Sequence, residues 1–224
     1  MKKIILASAL VLLATFVSLA AQTASGKGKE ELKLKLPKPM FIGTPTNLKS
    51  ANLEVITGKP RGPFYVPKGT VLLSGKKKVT SSDANPVIGE LDMLTDGEKS
   101  GGDGYFVELG PGVQWVQVDL GASHPLSAML AWHYHSQARI YHDVIVQVSD
   151  DPAFKTGVTT IFNNDHDNTS KLGQGKDKEY IEVAEGKLFD FNGAKARYVR
   201  LSSKGNTTND LNHNVEIEVY GLPK

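Results

Sequence analysis

From residue 115 to residue 221 the chain repeats one pattern, a short apolar run closed by Gly, Asn, Asp or Ser. WVQVDLG (115–121), LSAMLAWHYH (126–135), DVIVQVSDD (143–151), GVTTIFNN (157–164), ARYVRLSS (196–203) and NVEIEVYG (214–221) all carry it. Alternation with period two gives a strand one apolar face, and the closing residues favour tight turns. No stretch after residue 20 keeps a helical period for ten residues. The pattern therefore predicts an all-β chain, an antiparallel sandwich or barrel.

The N-terminus reads differently. Lys2 and Lys3 precede an apolar stretch from Ile4 to about Ala20, which closes on the small residues of Ser18-Leu19-Ala20. That is the layout of a cleaved secretory signal peptide over residues 1–20, with a retained membrane anchor as the alternative. The expectation is a secreted or periplasmic protein with no membrane span once the signal is gone. No cysteine occurs. Lipidation and a disulfide framework are thereby excluded, and export of bacterial type fits better than a small eukaryotic secreted domain. The chain has 26 basic and 24 acidic residues, so losing Lys2 and Lys3 leaves a neutral mature protein. Five of the remaining lysines lie in residues 26–39, which leaves everything beyond slightly acidic. A nucleic-acid partner, which needs a basic stripe on the folded domain, is excluded on that ground.

Residues 21–38 alternate lysine and leucine and read as a flexible Lys-rich arm. Residues 39–69 hold Pro or Gly every few positions and read as an extended segment packed on the core, anchored by Phe41, Leu53, Val55, Phe64 and Val66.

The motifs LTDGEKSGGDGYF, QWVQVDLG, DVIVQVSDDPAF, ARYVRL and VEIEVYG, in that order over residues 70–222, resemble the discoidin family. This is the coagulation factor 5/8 type C domain, whose galactose-binding-like jelly roll is shared with bacterial carbohydrate-binding modules. The resemblance implies an antiparallel β-sandwich over 70–222 with ligand loops at one end, and a structural Ca²⁺ site. In the family an Asp-Gly turn pairs with a glutamate of the last strand. Here those positions are Asp96 and Glu216, with Glu98 and Asp103 as further ligands. The family's threonine and tryptophan after the Asp-Gly are replaced by Ser100 and two glycines. The other reading of 95–104 is a glycine-rich turn with solvated acids.

Two polar segments are candidates for ligand contact. In WHYHSQARIYHD (132–143), a continued strand would put His133 and His135 on one face and Trp132 and Tyr134 on the other. A transition-metal chelate, a sugar site using the imidazoles with Tyr134 and Arg139, and a plain surface strand all fit. The second segment follows residue 162 as NNDHDN. Counted from Asp165, positions six and twelve of a calcium loop would be Ser170 and Lys176, so it is no EF-hand. Residues 163–177 stay polar for about three times the usual hairpin connection, and long loops on a rigid sandwich tend to carry binding residues. Asn163, Asn164, Asp165 and His166 are therefore assigned to a ligand loop, with His213 joining the same rim.

No nucleophile motif, zinc-protease motif or cysteine nucleophile is present, and the chain is read as no enzyme. The expected function is a secreted, non-catalytic module binding a glycan or polysaccharide. The alternative is a cell-envelope structural domain whose partner is another envelope protein.

Overall fold

A computed structural model describes residues 28–41, 45 and 47–224, so the expected signal segment 1–20 lies outside the described residues. Eleven strands follow one another: β1 (Lys29–Glu31), β2 (Tyr65–Pro67), β3 (Val71–Leu72), β4 (Val79–Ser81), β5 (Val107–Leu109), β6 (Gln114–His133), β7 (Ile145–Ser149), β8 (Thr159–Asn163), β9 (Lys187–Asp190), β10 (Lys195–Ser203) and β11 (Asn212–Gly221). The helical content of the described residues is one 3-10 turn, Leu91–Thr95. Every strand pairing is antiparallel.

β6 belongs to both layers of a sandwich. Its first half pairs with β4 and β10, and β10 continues to β7 and β8. Its second half pairs with β9 and β11, and β11 takes β3 and β5 on its other edge. The chain changes layer around Gly121, which adopts φ 86°, a conformation that β-carbon sterics disfavour in other residues. The β6–β10 register jumps there from Asp119 to His124.

The alternating apolar residues of the two layers meet between them. Val116, Val118 and Leu120 come from the first half of β6, Met129 and Ala131 from the second. Val146, Val148, Val199 and Leu201 face Ile217 and Val219 in the same core. The expected all-β sandwich is the observed architecture.

A second apolar cluster lies outside this core, formed by Leu130, Trp132, Val215 and Tyr220. Leu32, Leu34, Phe106 and Leu188 pack on it. The described part of the 21–38 arm is thus docked rather than loose. Its Lys/Leu alternation has the period of a strand: β1 pairs with β2, Leu32 N donates to Phe64 O at 2.8 Å, and Leu32 and Leu34 turn inward while the lysines face water and Leu36 stays exposed. Of the expected anchors in 39–69, Val66 is buried and Phe41, Leu53 and Phe64 are half-buried. Val55 is not an anchor, being 87% exposed. Backbone pairing with Glu179 ends at Leu53 and Glu54, so Val55 lies in unpaired backbone that no strand period holds to the domain.

Replacing Leu32 and Leu34 together with serine removes two half-buried side chains from this cluster. Urea denaturation should show a loss of about 1–2 kcal/mol. An unchanged midpoint would mean that the arm is not part of the folded unit.

Candidate functional site

The strand registers bring one set of loops to one end of the sandwich. Ser203 pairs with Gln114, Ser202 with Ile145, Ile145 with Asn163, Asn212 with Leu109 and Asn214 with His133. The connections 110–113, 134–144, 164–186 and 204–211 therefore leave from the same edge. Two polar groupings occupy it, one buried and one open.

The buried grouping takes in most of the residues expected from 132–143. His133, fully buried, places Nδ1 2.7 Å from Glu182 Oε1 and stacks on Tyr141 with centroids 4.3 Å apart. Tyr141 Oη lies 3.1 Å from His213 Nδ1, and His213 Nε2 lies 2.9 Å from Glu108 Oε2. Arg139 lies over the Tyr134 ring at 4.8 Å and reaches to 3.5 Å from His213 Nδ1. Tyr134 meets Phe106 edge-on at 5.0 Å.

Donors on the Nδ1 side, a hydroxyl and a guanidinium, fix the His213 tautomer. Nδ1 accepts, and Nε2–H donates to Glu108. Burial first, then the Arg139 and His133 charges, lowers the His213 pKa to about 4. Burial also raises the Glu108 carboxyl, against the pull of Arg139, so the short contact with His213 does not make an imidazolium.

The face-sharing expected of His133 and His135 fails because β6 ends at His133. His135 turns away and donates from Nε2 to Lys99 O at 2.9 Å. The H-x-H pair makes no chelate, and neither imidazole is open to solvent. Tyr134, Arg139 and His213 are likewise buried beneath the loop end rather than arrayed on a rim.

The open grouping is built on residues 163–177. Asn163 organises the loop: Nδ2 donates to Gly173 O at 2.7 Å, Oδ1 accepts from Asp165 N at 2.8 Å, and its amide donates to Asp177 Oδ2 at 2.6 Å. Asn164 Oδ1 accepts from Val144 N at 2.6 Å, tying the loop to the start of β7. Asp165 is fully buried and accepts from Thr169 N, Ser170 N and the Ser170 hydroxyl. Burial pushes its pKa up, but those hydrogen bonds outweigh burial and hold it below the usual carboxylate value. Gly175 has no alternative, since a β-carbon there would stand 2.1 Å from Asn163 O. The long polar stretch is thus a folded loop, and Asp165→Ala would unmake it rather than remove one ligand contact.

Beside this loop is a cleft of about 450 Å³. The loop contributes Asn164, His166, Asp167 and Thr169, the chain before β7 contributes His142 and Asp143, and Lys204 follows β10. Asn52 and Glu179 complete it, brought together where Glu179 N donates to Asn52 O at 3.1 Å. Carboxylate oxygens of Asp143, Asp165 and Asp167 lie within 4.8 Å of one another. Burial raises the Asp143 carboxyl, with Asp165 and Asp167 adding to the effect and Thr169 and Lys204 opposing it. Of the residues expected in the ligand site, Asn164 and His166 line the cleft, and Asn163 and Asp165 shape its loop. Asp143 and Asp167 stand within motifs singled out in the sequence. Asn52, Glu179 and Lys204 carry no local signal.

The expected calcium ligands do not converge. Asp96, Glu98 and Asp103 are exposed and Glu216 is buried, and they form no three-ligand group among the described residues. Asp96 Oδ1 accepts from Glu98 N at 2.7 Å and Glu98 Oε1 from Ser100 N at 2.7 Å. Glu216 Oε2 faces Gly97 N at 3.3 Å. Calcium needs six to eight oxygens around one point. This loop presents backbone donors and the Lys99 ammonium there instead, and it does not fit the ion.

Residues 94–201 match the family model described as a NedA-like, galactose-binding domain of the F5/F8 type C group. Over those residues the sandwich is similar to an F5/F8 type C domain. Among solved structures, a family 89 glycoside hydrolase from Clostridium perfringens, in complex with 2-acetamido-1,2-dideoxynojirmycin, is 19% identical with a TM-score of 0.50. That alignment covers 69% of this chain and 16% of the hydrolase. Truncated AlyQ, with CBM32 and alginate lyase domains, is 18% identical over 69% of this chain and 34% of its own length, with a TM-score of 0.49. The family 32 CBM of C. perfringens NanJ, in complex with galactose, is 10% identical over 67% of this chain and 98% of its own, with a TM-score of 0.47. The chain thus spans about a third of truncated AlyQ and a far smaller share of the hydrolase. A comparison with curated proteins finds no match. Among the described residues, no helix is long and apolar enough to cross a membrane.

The buried imidazole makes the loop end acid-sensitive. Unfolded His213 titrates near 6.5 and folded His213 near 4, so between those values the unfolded chain binds the extra proton. Stability from this group is complete above about pH 6.5 and falls by up to about 3 kcal/mol towards pH 4. Glu216, raised to about 8 by burial first and then by Glu218 and Asp96, acts in the opposite direction as pH falls. The difference between the wild type and His213→Asn isolates the imidazole. It should shrink from pH 7 to pH 4.5 in denaturant titrations, and a constant difference would contradict the neutral, buried His213.

Proposed function

We propose that the protein is an exported, non-catalytic glycan-binding module whose ligand occupies the loop-end cleft. The single observation carrying this reading is a preformed, polar cleft at the loop end of a galactose-binding-like sandwich. Carboxylates, amides and imidazoles side by side suit vicinal hydroxyls, because each offers hydrogen bonds in the directions a sugar ring presents them. The His142 and His166 rings are the flat surfaces nearest a pyranose in a cleft otherwise without aromatic side chains. Loop 163–177 is held by its own hydrogen bonds, so little ordering entropy opposes binding. The apolar leader over residues 4–20 supports export, and the absence of nucleophile and metallo-enzyme motifs supports a binding role. The likeness of residues 94–201 to a galactose-binding domain supports a sugar as the ligand class.

The groove of about 320 Å³ between residues 54–61 and 180–188 suits a sugar less well. There the Arg61 guanidinium donates to Glu185 O and Gly186 O, and Lys187 pairs with Glu54. An envelope scaffold would need segment 27–69 free to dock elsewhere. Its described part instead lies on this domain and supplies Asn52 to the cleft.

A glycan array should show selective binding by the full chain. His142→Ala and Asp167→Ala, which leave the core untouched, should each weaken binding about tenfold with an unchanged melting temperature. Full affinity in both variants would place the ligand elsewhere, and no binding to any glycan would remove the reading.

A further inference from the structure

Glu216 and Glu218 sit at alternate positions of β11, cross-strand from Trp132 and Leu130, and so face the second apolar cluster rather than the main core. Both are buried, at 1% and 5% exposure. A buried carboxylate on an apolar strand face needs either its proton or a compensating cation, because an unpaired buried charge is strongly disfavoured. Burial raises Glu216 to about 8 and so keeps its proton on, which leaves Glu218 as the group a cation must meet. In a loop of this type the resemblance implies calcium, which the loop does not fit.

A cation of another kind is already there. Lys99, from the 95–104 loop, brings Nζ onto Glu218 Oε1 and lies over the Trp132 ring, 5.0 Å from its centroid. Its side chain is only 12% exposed. Glu218 accepts from the Tyr220 hydroxyl on its other oxygen at 2.8 Å, so both its oxygens are engaged. The backbone beside Lys99 is fastened at two points: Lys99 O accepts from His135 Nε2, and Gly101 O accepts from the Ser136 hydroxyl. A larger residue at Gly101 would be strained, since a β-carbon would stand 3.0 Å from His135 Nε2 and the backbone has φ 65°.

We propose that the Lys99 ammonium is the built-in cation of this domain: it ties the 95–104 loop to the last strand and makes the fold independent of calcium. An ammonium meets carboxylates with three donors and one positive charge, and it gains further from an aromatic face that a dication's hydration shell would not reach. The loop end, and whatever binds there, is then indifferent to calcium supply.

The test is thermal unfolding of the full chain in excess calcium and in excess chelator, paired with calorimetric titration of calcium. The two melting curves should coincide, and the titration should show no site tighter than millimolar. Lys99→Met keeps the apolar stem over Trp132 and removes the charge, and it should lower the melting temperature equally in both conditions. Lys99→Arg should restore most of the loss. In a Trp115→Phe background, Trp132 is the single emitter, and Lys99→Met should shift its emission to the red, reporting the loop at its own contact. A calcium-dependent rise in the wild-type melting temperature, or a stoichiometric calcium site lost in Glu216→Gln, would overturn the proposal. So would a Lys99→Met protein with unchanged stability and emission. If Lys99→Met fails to fold, the wild-type melts and titration decide alone. None of these readouts depends on a glycan.

Discussion

β6 is the element on which the other strands depend. Its twenty residues serve as partner to β4 and β10 in one layer and to β9 and β11 in the other. A strand shared in this way forces the chain to turn back at its middle, around Gly121, so both its ends lie at the same edge of the sandwich. The loops that follow β6, β8 and β10 then have to emerge together. Clustering of the loop end is a consequence of backbone pairing, and it would hold for many loop sequences.

What fills that end is governed by the cost of burying polar groups. Imidazoles, a guanidinium and carboxylates lie under the loops and partner one another across the end of the sheet, although His133 Nε2, Arg139 Nε and Glu182 Oε2 stay without a hydrogen bond among the described residues. Such a network is worth most when complete, because one missing member leaves another desolvated and unpaired. It makes a stiff floor, and the cleft above inherits that stiffness. Lys99 and Glu218 do the corresponding work on the outer face of the second layer, where loop 95–104 would otherwise meet the buried Glu218 carboxylate with no cation beside it.

The layers were legible in the sequence because period two is a local property: WVQVDLG and NVEIEVYG show their inward residues without reference to anything distant. The folded character of residues 163–177 was legible through its length and its Asn and Asp content. Burial was not. His133 and His135 look like surface ligands in the sequence, yet whether a strand end is covered depends on Glu182, Tyr141 and Lys99, which only the tertiary structure brings near. Asn52 reaches the cleft through backbone pairing with a residue over a hundred positions away, a contact no local pattern encodes. The arm misled for a different reason: alternating Lys and Leu is equally the composition of a solvated linker, and only the apolar surface of Leu130, Trp132 and Tyr220 gives the leucines somewhere to go.

The central claim is that a ligand enters the loop-end cleft over an unmoved floor. The most direct measurement is a backbone amide NMR titration of the full chain with the tightest-binding glycan from an array. Shifts should concentrate on Asn52, His142, Asp143, His166, Asp167 and Lys204, while the amides of Trp132, His133 and Val215 stay in place. Shifts centred on the groove of residues 54–61 and 180–188, or spread through β6 and β11, would contradict it.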